Sequence, residues 1–238
     1  MKPALLLIPG MFNPPEVFDG LLPHLQSRFD IRVASVTTQS SIAEMAQDAW
    51  RLVADVSPPQ RLVVAGYSMG GYVALALVHQ YLLTARPPAS WAMALLFTGG
   101  HAESPEGLIA REKTIAALQR NPEATINAIT DVATHPATPE REALRAKAKA
   151  MMLQVGAEAA IRQIRAIMAR SDARPWLPQV AARVLVLGSH HDKVVAPSFS
   201  EELAALVPQA ELAWFDECGH FAPLEQPEQV AQQLRRLA

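Results

Sequence analysis

Short apolar runs alternate along this chain with stretches whose apolar residues recur every three or four positions. The runs are Ala4–Ile8, Ile31–Val36, Leu62–Ala65, Met93–Phe97, Val184–Leu187 and Leu212–Phe215. Unbroken hydrophobicity over so few residues suits strands buried on both faces, and alternation with helical segments is the pattern of a parallel sheet. After the second run, Ile42–Val56 places Met45, Ala49, Leu52, Val53 and Val56 on one helical face, with Ser41 and Glu44 spaced as a capping box. Ser198 and Glu201 repeat that device ahead of Leu203, Leu206 and Val207. Pro227 is placed to open a last helix that turns Val230, Leu234 and Leu237 inward. Met69–Leu83 is apolar almost all round, which predicts a helix covered by other elements.

The alternation stops after Phe97 and resumes at Arg183. The intervening segments read as helices, at Leu108–Gln119, Ala124–Val132, Glu140–Val155 and Ala157–Met168, punctuated by prolines. The expected architecture is therefore an α/β fold: an open, mainly parallel sheet of about six strands, with helices on both faces and a helical cap inserted before the last two strands. Residues 1–101 and 178–238 would form the core and 102–177 the cap. Helices inserted at one edge of a sheet must bury their apolar faces against that edge, so the cap is expected to govern substrate access more than the chemistry.

Composition narrows the function. Of 238 residues half are hydrophobic, and 21 Lys+Arg stand against 23 Asp+Glu for a net charge of -2. That is enough chain for a continuous core, and it excludes a disordered protein. It supplies neither the basic footprint of a nucleic-acid partner nor a polybasic membrane anchor. The lone Cys218 removes any disulfide within the chain and any cysteine-built metal site. Leu5–Ile8 is too short for a signal-peptide core, and no stretch approaches the roughly 18 apolar residues of a membrane span. A cytoplasmic protein with a small-molecule substrate is expected; oligomeric state leaves no signature.

The stretch richest in chemistry is Gly66-Tyr67-Ser68-Met69-Gly70, a G-x-S-x-G between a predicted buried strand and a predicted buried helix. A serine on so sharp a turn projects its hydroxyl from the carboxyl edge of the sheet, and the flanking glycines remove side chains that would collide. The helix that follows presents its free amides to developing negative charge. A capping serine in an ordinary glycine turn would look similar in isolation. The context favours the catalytic reading, and no G-x-G-x-x-G or phosphate-loop pattern competes with it.

A serine nucleophile needs a base, and the base an orienting acid. His220, in Cys218-Gly219-His220-Phe221, follows the last strand and so falls at the same edge as Ser68. Asp192 falls there too, in the loop after Arg183–Leu187, with Glu103 in reserve after the strand before it. The amides of Met11, in the glycine turn after the first strand, and of Met69 are the expected oxyanion donors. The Met11 and Phe12 side chains would crowd the mouth and favour small substrates.

The chain resembles the α/β-hydrolase superfamily, in particular its bacterial esterase, enol-lactonase and C–C-bond hydrolase branch. The resemblance covers the whole chain through Leu6–Met11, Leu62–Gly71, Val184–Asp192 and Cys218–Gln229, in the order Ser68, Asp192, His220. It departs where Pro9 stands for the usual histidine, where Val36–Ser41 replaces the usual glycine-rich loop, and where the acid loop is one residue longer. The resemblance implies a cofactor-independent serine hydrolase that cleaves a small ester, lactone or thioester through an acyl-enzyme. The alternatives are C–C bond hydrolysis or proton abstraction on the same triad, or a ligand-sensing receptor built on the same fold.

Other residues compete less well. His190-His191-Asp192 lacks metal-ligand spacing, because adjacent residues of an extended segment point apart. Cys218 reads as a small buried residue. Arg111, Arg162, Arg165 and Arg170 could clamp a substrate carboxylate, although helical arginines are usually a solvated face. Met151, Met152 and Met168 could line an acyl pocket or simply fill a core.

Overall fold

A computed structural model describes residues 1–83 and 90–238. Six strands, β1 (Ala4–Ile8), β2 (Asp30–Val33), β3 (Leu62–Tyr67), β4 (Trp91–Leu96), β5 (Arg183–Ser189) and β6 (Ala210–Phe215), form one sheet in the order β2-β1-β3-β4-β5-β6. Every pairing is parallel. The helices are α1 (Leu22–Leu25), α2 (Ile42–Arg51), α3 (Met69–Leu77), α4 (Pro105–Arg120), α5 (Pro122–Ala133), α6 (Arg141–Val155), α7 (Ala157–Met168), α8 (Pro197–Leu206), α9 (Ala222–Glu225) and α10 (Pro227–Arg235). No helix of the described residues is long and apolar enough to cross a membrane.

The period of two along each strand divides the core. Leu6, Ile8, Val64, Met93, Leu95, Val184 and Val186 face α2, α3 and α8. Their neighbours Leu5, Leu7, Val63, Ala65, Ala94, Leu96, Leu185 and Leu187 face Phe18, Leu25 and the inner side of α10. Burial on both faces explains why the central strands read as unbroken apolar runs. The edge strand β2 ends at Val33, before the Val36 that hydrophobicity suggested, and Ala34 and Val36 are buried in the core beyond it.

Helix α3 is covered as its composition demands, and the chain continues as a π-helical turn through Leu83. The caps differ from expectation in two places. Ser41 Oγ accepts from Glu44 N, but the Glu44 carboxylate reaches back to Ser40 N, one residue earlier than in a capping box. Ser198 caps nothing: Pro197 already occupies the first helical position, where its missing N–H costs nothing, so α8 starts two residues sooner.

Between β4 and β5 only helices occur, α4 to α7 and a 3-10 turn at Leu177–Gln179. Ile115, Leu118, Ile126, Met152, Ala160 and Ile164 share a small core of their own, closed from below by Phe12 and Phe221. Ala173 N donates to Gly100 O (2.7 Å), and Ala173 and Leu177 rejoin the main core.

Candidate active site

The register aligns the carboxyl ends of β1, β3, β4, β5 and β6 along one edge, where ligand crevices of open α/β sheets form. Ser68 leaves β3 there at φ 53°, a strained conformation for a residue with a Cβ. The glycines around it are obligatory. A Cβ on Gly66 would lie 2.2 Å from Gly70 O, and one on Gly70 would lie 2.1 Å from Ile8 O. Thr98 Oγ1 donates to Ser68 O (2.8 Å), and Ser68 N to Leu96 O (2.8 Å), so the turn is held from β4 on both sides.

Ser68 Oγ lies 2.9 Å from His220 Nε2, and His220 Nδ1 lies 2.8 Å from Asp192 Oδ2. His220 and Asp192 are buried, whereas Ser68 is partly open to the cavity above it. The other Asp192 oxygen accepts from Val194 N (2.7 Å) and Val195 N (3.0 Å), which sets the carboxylate's rotation. Tyr67 Oη donates to His220 O (2.9 Å), with its hydroxyl pushed well up by burial and then by the Asp192 charge. Ser189 Oγ donates to Cys218 O (2.6 Å) and ties the acid loop to the histidine loop. A hydroxyl bonded to an imidazole that a carboxylate orients is a set able to generate a serine nucleophile.

The turn Pro9–Phe12 sits directly against this set: a Cβ on Gly10 would lie 3.0 Å from Ser68 Cβ. Met11 and Met69 both line the cavity, and the Met69 amide, first in α3, has no acceptor within its helix. Phe12 does not crowd the mouth. At φ 64° it turns away and is fully buried under the helical layer, where apolar partners are available.

The cavity encloses about 770 Å³ and is bounded by Ser68, Met11, Ile129, Met152, Ile167 and Phe221 on an apolar side. Glu103, Arg111 and Arg170 form a charged side. Glu103 is not beside His220. Its carboxylate accepts from Arg170 Nη1 (2.9 Å) and Arg111 Nε (3.1 Å). Burial would raise its pKa, but the hydrogen bonds and charges of the two guanidiniums outweigh that and hold it below the ordinary value.

The other candidates fall apart spatially. His190 stacks on Trp214 (4.0 Å between centroids) and His191 packs edge-on against His135 (4.7 Å). Among the described residues no group of three His, Cys, Asp or Glu is placed around a common point. Burial and then the Glu225 and Asp192 charges push the Cys218 thiol well up. Arg162 is spent on Thr37 O (2.9 Å) and Arg165 is exposed. Met152 both fills the helical layer's core and lines the cavity.

Two residues that sequence reasoning missed bind the helical layer to the site. Gln163 of α7, fully buried, accepts from Phe12 N (2.9 Å) and donates to Val36 O (2.8 Å). Glu225 accepts from Gly219 N (3.1 Å), His135 N (2.9 Å) and Thr138 Oγ1 (2.5 Å), while His220 N donates to Ala133 O (2.7 Å). A buried glutamine on an otherwise apolar helical face was the only available signal for Gln163.

The model of the alpha/beta hydrolase family matches residues 5–233. The chain belongs to that family. Two relatives of this hydrolase are each a pimeloyl-(acyl-carrier protein) methyl ester esterase. That of Aromatoleum aromaticum is 27% identical over 97% of this chain and 96% of its own. That of Nitrosomonas europaea is 25% identical over 95% and 92%. Among solved structures, a thermophilic esterase from Thermogutta terrifontis matches with a TM-score of 0.84 and 23% identity, covering 99% of this chain and 89% of that one. The enol-lactonase of Burkholderia xenovorans matches with a TM-score of 0.82 and 16% identity, over 100% and 91%. At these identities the two structures speak for the fold of the hydrolase, which they share from end to end.

Proposed function

We propose that this hydrolase cleaves small carboxylic esters, with lactones and thioesters as close variants, through an acyl-enzyme on Ser68. The observation that carries the reading is the chain of contacts from Ser68 Oγ through His220 to Asp192, at 2.9 and 2.8 Å, at the floor of the cavity. Ser68 attacks the substrate carbonyl while His220 Nε2 takes its proton. Asp192 keeps the proton on Nδ1 in the resting imidazole and stabilises the imidazolium that forms. The amides of Met11 and Met69 receive the negative charge that develops on the carbonyl oxygen, and each such donor is worth a factor of about 10²–10³ in rate. His220 returns its proton to the leaving alcohol, then activates the water that releases the acid.

The names of the relatives from Aromatoleum and Nitrosomonas favour ester substrates. Residues 102–177 act as a cap, because α4 to α7 contribute Arg111, Ile129, Met152 and Ile167 to the wall of the cavity that holds Ser68. A fluorophosphonate should add one adduct mass, mapped to Ser68, and Ser68→Ala should abolish both the adduct and esterase activity. An adduct elsewhere, or an active Ser68→Ala, would overturn the reading.

A further inference from the structure

The cavity's charged side has no part in the chemistry just derived, yet it is built with care. Arg170 is buried, its side chain 3% exposed. It donates from Nε to His101 O (2.9 Å) and from Nη1 to Ile167 O (2.9 Å) and Glu103, with its guanidinium 4.3 Å over the Tyr72 ring. Glu103, held ionised, neutralises one of the two guanidiniums that touch it. His101 adds no charge near neutral pH, because burial and then Arg170 hold its imidazole below the ordinary value. The remaining positive charge belongs to Arg111. Its Nε is fixed on Glu103 Oε2, its side chain is 30% exposed, and neither Nη has an acceptor among the described residues. The third arginine of the lining, Arg174, is bound by Asp172 and Glu202 and leaves that rim net negative. The cavity is thus polarised, with one open cationic fork on the Glu103 side.

We infer that Arg111 is a specificity-determining residue that binds a carboxylate on the substrate, away from the scissile bond, so that preferred esters carry a free carboxylate. The inference rests on the proposed esterase reaction and names its substrate class. A planar fork with two free N–H groups matches a carboxylate bidentately, and Glu103 and Arg170 hold the fork in place before substrate arrives. Glu202, which also lines the cavity and is bonded to Arg174, would repel the same group, so the carboxylate is directed to Arg111.

The test compares methyl half-esters of dicarboxylic acids, about four to eight carbons long, with methyl esters of monocarboxylic acids of equal length. A parallel series of O-acetyl hydroxy acids distinguishes a carboxylate on the alcohol side from one on the acyl side. Wild type should favour one carboxylate-bearing series in kcat/KM, chiefly through KM. Arg111→Gln should lower the ratio of half-ester to neutral ester by roughly 10- to 100-fold, and Arg111→Lys, which keeps charge but loses the fork, by less. Calorimetric titration of monomethyl glutarate and monomethyl adipate onto Ser68→Ala reads binding without turnover, and adding Arg111→Gln should abolish it. Neutral esters cleaved through Ser68 with no carboxylate preference would overturn this inference and leave the esterase reading standing. Ester cleavage that survives Ser68→Ala would overturn the esterase reading instead. Carboxylate binding unaffected by Arg111→Gln, or equal losses on both substrate classes, would also refute the role of Arg111.

Discussion

Gln163→Leu separates positioning from catalysis. Leucine nearly matches glutamine in volume, so the cavity term is small, but two buried backbone groups lose their partners. Phe12 N–H and Val36 C=O belong to residues with no exposed surface, so water cannot replace the amide. Each orphaned group costs about 1–3 kcal/mol, or roughly 2–6 kcal/mol together, against a typical total stability of about 5–15 kcal/mol. The variant should fold and melt roughly 5–20 °C lower. The more informative effect is on rate. Gln163 is the side chain that holds Phe12 at φ 64°, immediately after the proposed donor Met11. If the turn slackens, part of one oxyanion contact is lost, and kcat on p-nitrophenyl butyrate should fall about 10- to 100-fold, short of the 10²–10³ for complete loss. Leu234→Ala on α10, buried on the far face of the sheet, supplies a comparably destabilised control at about 2–5 kcal/mol. Equal melting losses with equal kcat in the two variants would refute the argument and leave Gln163 a structural residue only.

Asp192→Asn should lower kcat by a factor near 10⁴, because an amide that donates to His220 Nδ1 selects the wrong tautomer; a loss under tenfold would remove Asp192 from the acid's role. Glu103→Gln should spare turnover of neutral esters far more than Asp192→Asn does, and should flatten the acid limb of stability. Since Glu103 has its pKa lowered by folding, its contribution is present above the ordinary value of 4.5 and is lost as pH falls through the lower folded value, which urea midpoints across that window will record. Gly70→Ala should destabilise by at least about 3 kcal/mol, since its Cβ would meet backbone on β1 rather than a movable side chain; a soluble, active variant with wild-type melting would refute this. Replacing 102–177 by a short linker should reduce kcat as well as alter acyl preference, because the segment supplies Gln163 and the Ala133 carbonyl that accepts from His220 N. A changed substrate profile with unchanged kcat would restore the simpler expectation that the cap serves access alone.

The sheet was legible because the central strands β1, β3, β4 and β5 are buried on both faces and so apolar almost throughout, which sets them apart from 3.6-periodic segments. Ser68 was legible for a related reason: only glycines fit where backbone meets backbone around the elbow, so its neighbours are dictated by local geometry. His220 and Asp192 could be located because each follows a strand directly, and parallel strands deliver such residues to one edge whatever the intervening sequence. What lay beyond local pattern was every contact that joins the helical layer to that edge. Gln163 meets Phe12 across 151 positions, Glu225 meets His135 across 90, and Arg170 meets Glu103 across 67. Of these residues only Gln163 stands out locally, as a polar residue on an otherwise apolar helical face; the chain around the others does not mark them. Their roles follow from desolvation: once the helices cover the sheet edge, each buried amide, carboxylate and guanidinium must find a partner, and packing alone decides which one lies within reach. The same packing turned Phe12 into the helical core and left Arg111 facing the cavity, so the meeting of Ser68, His220 and Asp192 at one sheet edge was legible in the sequence, while the shape and polarity of the space above them were set by the tertiary fold.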